Sequence, residues 1–88
     1  MVHTMILKEE IAQLHIIPAN VDRTNYWKEE MAYAVRLGNE FKGKTTITFE
    51  TSEGSRTVET TVWSLTDKYI VLKSGTTIPM NSITEVHF

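Results

Sequence analysis

The chain is predicted to be an α+β domain, mostly β, with an N-terminal helix or helices followed by a five-stranded antiparallel small β-barrel. Three observations carry that expectation. Apolar residues recur at helical spacing up to about Gly43 and alternate at every second position beyond it. Residues 44–88 hold 11 threonines together with Val, Ile, Phe, Tyr and Trp, the side chains that suit a pleated surface. Brief turn signals then divide this half into five short runs. A meander of such strands usually hides its edges by curling into a barrel.

Residues 5–16 form the first helix candidate, with Leu7, Ile11 and Leu14 on one face and Lys8, Glu9 and Gln13 elsewhere. Ile16 and Ile17 precede Pro18, which forces an extended or turn conformation before it, so "PANVD" is a connector. Residues 1–23 are therefore expected to be a partly helical N-terminal segment, packed on the rest, paired with another copy or flexible. Residues 24–88 are expected to be a helix plus a small barrel. The helix, "TNYWKEEMAYAVRLGNEF" over 24–41, gathers Trp27, Met31, Ala34, Val35, Gly38 and Phe41 into one stripe. Tyr26, Tyr33 and Leu37 widen it. Asp22, Thr24 or Asn25 can supply the N-cap, because a short side-chain oxygen accepts a free backbone N–H there. Gly43 offers the stop. The stripe reads as core packing.

The strands follow in order. "KTTITFETS" alternates Ile47 and Phe49 against Thr46, Thr48 and Glu50. "SEGS" is a hairpin turn in which Gly54 supplies the positive φ. "RTVETTVWSL" turns Val58 and Val62 inward and Thr57, Glu59, Thr61 and Trp63 outward. After the "TDK" turn, "YIVLK" is expected to be buried on both sides, and "SG" turns again. "TTIPM" carries Pro79 near its end, which suits an edge or a terminus. "NSI" makes a tight turn and "TEVHF" closes the set. The predicted interior is Val58, Val62, Ile70, Leu72, Ile78 and Val86.

Eighty-eight residues make one domain, near the lower size for independent stability, and no cysteine is present to help it. The net charge is −2, shared evenly: five basic against six acidic residues in 1–43, four against five in 44–88. The chain as a whole lacks the basic footprint of a nucleic-acid binder. No apolar run reaches the ~20 residues of a membrane span. Glu9 and Glu10 interrupt the apolar start where a secretory signal would continue, so a cytoplasmic address is expected and no membrane contact.

No catalytic constellation is legible. His3, His15 and His87 lack the spacing of a zinc pair, and no cysteine can complete one. Glu9–Glu10 and Glu29–Glu30 are neighbours on helical segments, where adjacent side chains diverge by ~100° and cannot converge on a substrate. Ser52, Ser55, Ser64, Ser74 and Ser82 lie outside any nucleophile elbow, and no phosphate-binding glycine loop exists. The expectation is a protein that is not an enzyme, with no cofactor, metal or small-molecule substrate.

One helix followed by five short, bent strands is similar to the Sm-like small β-barrels. Val62, Ser64, Leu65 and Asp67, then Tyr69-Ile70-Val71-Leu72, then Ile78-Pro79-Met80-Asn81-Ser82-Ile83-Thr84-Glu85-Val86 occupy places similar to those in the bacterial Sm-like RNA chaperones. The resemblance covers roughly residues 41–88 and implies the barrel. Met80 and Asn81 stand where that family carries a basic residue and a histidine, and Thr60 or Thr61 where it carries a strand-bending glycine. The tract also resembles short bacterial proteins with a Trp-x-x-Thr-Asp/Glu-Lys-Tyr element and a late Ile-Pro, a likeness that implies no activity. An SH3-like or Tudor-like barrel fits the same strands.

Trp63 poses the functional question, since it alternates away from Val62 and cannot share the interior. It is expected to be mostly buried outside the barrel, against the 24–41 helix or a second subunit. The rival reading is an exposed stacking platform for a base or a peptide proline, helped by Tyr69 or Phe49. The expected function is a non-catalytic interaction module that binds a protein partner, or itself, through a barrel edge and the Trp63 face. Trp63, Tyr69, Met80 and Asn81 form its candidate surface. The alternative is an Sm-like RNA or single-strand binder. It needs Lys42, Lys44, Arg56, Lys68 and Lys73 on one side, and an acidic chain makes such binding weak.

Overall fold

The computed structural model describes residues 4–6, 8–41, 43–73 and 75–88. Helix α1 spans Thr24–Phe41, and the strands are β1 Thr4–Ile6, β2 Thr45–Thr51, β3 Gly54–Thr60, β4 Val62–Leu65, β5 Tyr69–Leu72, β6 Thr77–Pro79 and β7 Ile83–His87. Two 3₁₀ segments, Lys8–Gln13 and Met80–Ser82, complete the elements. The α+β class is as expected, but the closed barrel is not. Among the described residues the strands form two open sheets, in the orders β1-β3-β2-β7 and β4-β5-β6. The physical reason lies at Thr61. The single long strand expected over 56–65 breaks there, so β3 stays with β2 while β4 leaves to pair with β5. A bulge between Val62 and Ser64 adds local twist.

The N-terminal segment keeps only a 3₁₀ helix over Lys8–Gln13 from the helix expected over 5–16, and its start is a strand. Thr4–Ile6 is extended and pairs in parallel with Arg56–Val58, where the outer edge of β3 would otherwise lack backbone partners. The 3₁₀ segment that follows places Ile11 in the core. Leu7 lies outside the described residues. Farther on, Ile16 bridges Thr51, the Ile17 N–H donates to the Glu50 carbonyl, and the Ala19 N–H donates to the Asn81 carbonyl. An extended strand that satisfies an edge wins here over a short helix with three apolar anchors.

The central stripe of helix α1 matches its pattern, whereas Tyr26 and Tyr33, expected to widen it, are exposed, and the Phe41 side chain lies outside the described residues. Trp27, Met31, Ala34 and Gly38 are buried and Val35 is half-buried. The Asp22 carboxylate accepts from the backbone N–H and the hydroxyl of Thr24, one residue ahead of the Arg23 carbonyl that takes the first helical bond. At the other end the Gly43 N–H donates to the Leu37 carbonyl at 3.0 Å and so satisfies one of the carbonyls left free in the last turn. Gly38 sets the depth of packing: a Cβ there would lie 2.5 Å from the Val62 carbonyl oxygen and 2.8 Å from Thr61 Cγ2. Only a residue without a side chain lets the helix backbone rest on β4.

The core joins Trp27, Met31 and Ala34 of α1 to Ile47, Phe49, Val58, Val62, Ile70, Leu72, Ile78, Met80 and Ile83. Five of the six predicted interior residues are fully buried; Val86 is only half-buried, at the rim where β7 ends the sheet. Phe49 points inward and is fully buried, which removes it from any stacking platform. The other face of β2 and β3 is polar, and there Thr48 and Thr57, directly opposed, share a hydroxyl contact at 2.9 Å. The hairpin turn closes as expected, with Gly54 at φ 108° and Thr51 Oγ1 donating to the Gly54 carbonyl.

Candidate interaction surface

The pairing of β4, β5 and β6 fixes which side chains share a face. Val62 opposes Leu72, Leu65 opposes Ile70, and Ile70 opposes Ile78, all turned to the core. The alternate residues must therefore turn outward: Ser64 opposite Val71, Val71 opposite Thr77, and Tyr69 opposite Pro79. Trp63 is the extra residue of the bulge, beside Ser64. The outer face thus carries Trp63, Tyr69, Val71 and Pro79 with Ser64 and Thr77 among them. The strand expected to be buried on both sides is instead alternating, since Tyr69 is exposed and Val71 half-buried.

Trp63 is 50% exposed, so the expectation of an indole packed beneath the helix is corrected. The apolar stripe of α1 goes into the core between the sheets, where Trp27 is 5% exposed and Met31 fully buried, and it never reaches the outer face. What α1 gives Trp63 is a weak polar tie, from Asn39 Nδ2 to the Trp63 carbonyl at 3.4 Å. Met80 is corrected as well. The 3₁₀ turn after Pro79 swings its side chain into the core, where it is fully buried. Tyr69 and Asn81 remain at the surface, exposed and half-buried.

A cleft of about 670 Å³ adjoins this face, walled by Asp22–Tyr26 at the start of α1, by Asp67, Lys68 and Tyr69 of the β4–β5 turn, and by Pro79 and Asn81. Tyr69 and Pro79 belong to both cleft and face, which joins them into one surface. The turn is built by Thr66, whose backbone N–H donates to the Tyr69 carbonyl and whose hydroxyl accepts from the Tyr69 N–H. The Lys28 ammonium lies 3.2 Å from the Asp67 carboxylate and ties the turn to the helix. At the start of α1 the Arg23 guanidinium sits over the Tyr26 ring at 5.6 Å. The two bonds from Thr24, first its hydroxyl and then its N–H, hold the Asp22 carboxyl below its ordinary value of 3.8. The sequence marks Pro79 as a strand end, Asp67 as a turn residue and Lys68 as a cation of the nucleic-acid alternative, but places none of them on this surface; Tyr26 was assigned to the apolar stripe, yet it is exposed.

The cations required for nucleic acid do not gather. Lys44 and Lys73 lie near the Thr60–Thr61 break, Arg56 near the β2–β3 hairpin, and Lys68 at the far end of β5 from Lys73. Lys42 lies outside the described residues. Among the described residues no three His, Asp or Glu side chains converge as metal ligands, and no helix is long and apolar enough to cross a membrane. No protein-family model matches the chain, and no curated protein or solved structure is significantly similar to it.

Proposed function

We propose that this chain is a non-catalytic interaction module that docks a protein partner on the outer face of β4–β5–β6. One observation carries the reading. Trp63, a residue type that is highly buried on average, stands half exposed on the same face as Tyr69, Val71 and Pro79. A contiguous apolar patch with a polar rim is the usual mark of an interaction site. Aromatic residues are the ones that most often dominate such contacts.

The order of elements, a long helix, five strand segments and a 3₁₀ turn before the last strand, supports an Sm/SH3-like small-barrel layout in opened form. The strands available for an edge contact are β1 and β7, which end the four-stranded sheet. The dispersed cations favour a protein partner over nucleic acid. The test is affinity capture from native cells with the wild-type chain and Trp63→Ala, each with and without nuclease, beside size-exclusion chromatography with light scattering. The reading expects a nuclease-resistant partner, or a second copy, that Trp63→Ala loses. Capture that nuclease abolishes would favour the nucleic-acid alternative, and capture that ignores Trp63→Ala would remove the face.

A further inference from the structure

We infer that the cleft between α1 and the β4–β5 turn takes an extended, acidic peptide segment of the partner protein; this rests on the docking reading above. Charge decides the first part. Asp22 is occupied by the two donors of Thr24, and Asp67 is balanced by Lys28 at 3.2 Å. Among the described residues Arg23 meets only the face of Tyr26, and no carboxylate lies against Lys68. The lining itself carries Arg23 and Lys68 against Asp22 and Asp67, and the neighbouring Lys28 ammonium, paired with Asp67, brings the local balance to +1 in a chain of −2. The cations without a carboxylate partner among the described residues of the lining are Arg23, at the start of α1, and Lys68, in the β4–β5 turn, and Tyr26, Tyr69 and Pro79 line the same cleft. A segment that combines carboxylates with an apolar or ring side chain is complementary to that lining.

Shape and backbone decide the rest. In a twofold dimer built on this cleft, concavity faces concavity and the space stays unfilled, whereas a narrow segment fills it. Strand addition on β6 is blunted. The bonds Leu72 N–H to Thr76 carbonyl and Met80 N–H to Lys68 carbonyl turn the even-numbered residues toward β5. That leaves Thr77 and Pro79 on the outer edge; Pro79 has no N–H, and its carbonyl accepts from the Ser82 hydroxyl. The segment therefore docks by its side chains. Arg23 and Lys68 can each meet a carboxylate, but a local balance of +1 is too small for a run of phosphates, since Arg56, Lys44 and Lys73 lie elsewhere.

The test selects a displayed library of random peptides on the full chain. Recovered peptides and a labelled oligothymidylate are then titrated by fluorescence anisotropy against wild type, Lys68→Glu and Tyr69→Ala. Expected are peptides with at least two Asp or Glu together with an apolar residue, weakened about tenfold or more by either substitution, and amide shifts at Tyr26, Tyr69 and Asn81. Neutral or basic winners, or binding that ignores Lys68→Glu and maps to Trp63, would overturn the peptide assignment and leave the docking face standing. Oligothymidylate bound more tightly than any peptide and lost in Lys68→Glu would give the cleft to nucleic acid. No enrichment also overturns the assignment, and takes the docking reading with it only if Trp63→Ala leaves partner capture unchanged.

Discussion

Replacing Gly38 by alanine sets two physical terms against each other. In an exposed helix interior the change stabilises by about 1 kcal/mol, because glycine gives up more backbone freedom than alanine. Here the new methyl would stand 2.5 Å from the Val62 carbonyl oxygen and 2.8 Å from Thr61 Cγ2. The first neighbour is backbone, fixed in the β4–β5 ladder, so it is the helix that must retreat, by roughly 1 Å to restore an ordinary contact. A radial gap of ~0.5–1 Å forfeits about a quarter to a half of each dispersion contact it opens. Trp27, Met31 and Ala34 share that interface with the core. Overpacking of this kind costs ~1–3 kcal/mol, and the backbone clash places it at the upper end. The net is a loss of about 1–2 kcal/mol, or roughly 5–15 °C in Tm for a domain of this size. Thermal unfolding followed by circular dichroism reads it directly, with Glu29→Ala on the exposed side of α1 as a control that shifts little. A Gly38→Ala protein that melts higher than wild type would show propensity winning, and the close α1–β4 approach would be refuted.

Val62→Asp places an unpaired carboxylate in the core, which costs several kcal/mol against a total of ~5–15, so the amide spectrum should collapse to that of an unfolded chain. Trp63→Ala should cost no more than about 1 kcal/mol in urea titration, whereas Trp27→Ala should cost ~3–5; in Trp27→Phe, iodide should quench Trp63 freely. Thr45 Oγ1 is buried without a partner among the described residues, so Thr45→Val should stabilise by about 1 kcal/mol in the same titration. Asp22 ionises more readily folded than unfolded, so its contribution is complete above pH 3.8 and is lost as pH falls through the lowered folded value. The stability gap between wild type and Asp22→Ala should close over that acid range, and a gap that persists below it would assign the effect to something other than the carboxylate.

Much of the architecture was legible because its causes are local. The helix over 24–41, both its ends, the Gly54 hairpin and the Thr66–Lys68 turn follow from periodicity and turn chemistry within a few residues. What was missed depends on distant partners. Nothing in "TMI" announces that β3 lacks a neighbour, so an extended N-terminus could not be told from a helix. The break at Thr61 arises where β4 meets β5 and α1, and no local residue type marks it. Met80 illustrates the limit most sharply. Pro79 favours leaving the strand, but whether the next side chain swings out or in depends on the 3₁₀ turn that follows. For the candidate surface, alternation placed Trp63 outside correctly and said nothing about what covers it.

That last point turns on where α1 sits. The helix lies along the free edge of β4: its backbone at Gly38 stands over the Val62 carbonyl, and Asn39 reaches the Trp63 carbonyl. At the other side of the small sheet, Pro79 brings no N–H to the edge of β6 and Ser82 occupies its carbonyl. Both edges of β4–β5–β6 are therefore closed by the chain itself, one by a helix and one by a proline, the two devices that most often prevent strands of different molecules from pairing. The same covering helix sends its apolar stripe inward and leaves the outer face bare. A partner that approaches this sheet meets side chains rather than free backbone, so its recognition must come from the fit of rings and charges around Trp63, Tyr69 and Lys68. Substitutions on that face should then change which partner binds without changing whether the domain folds.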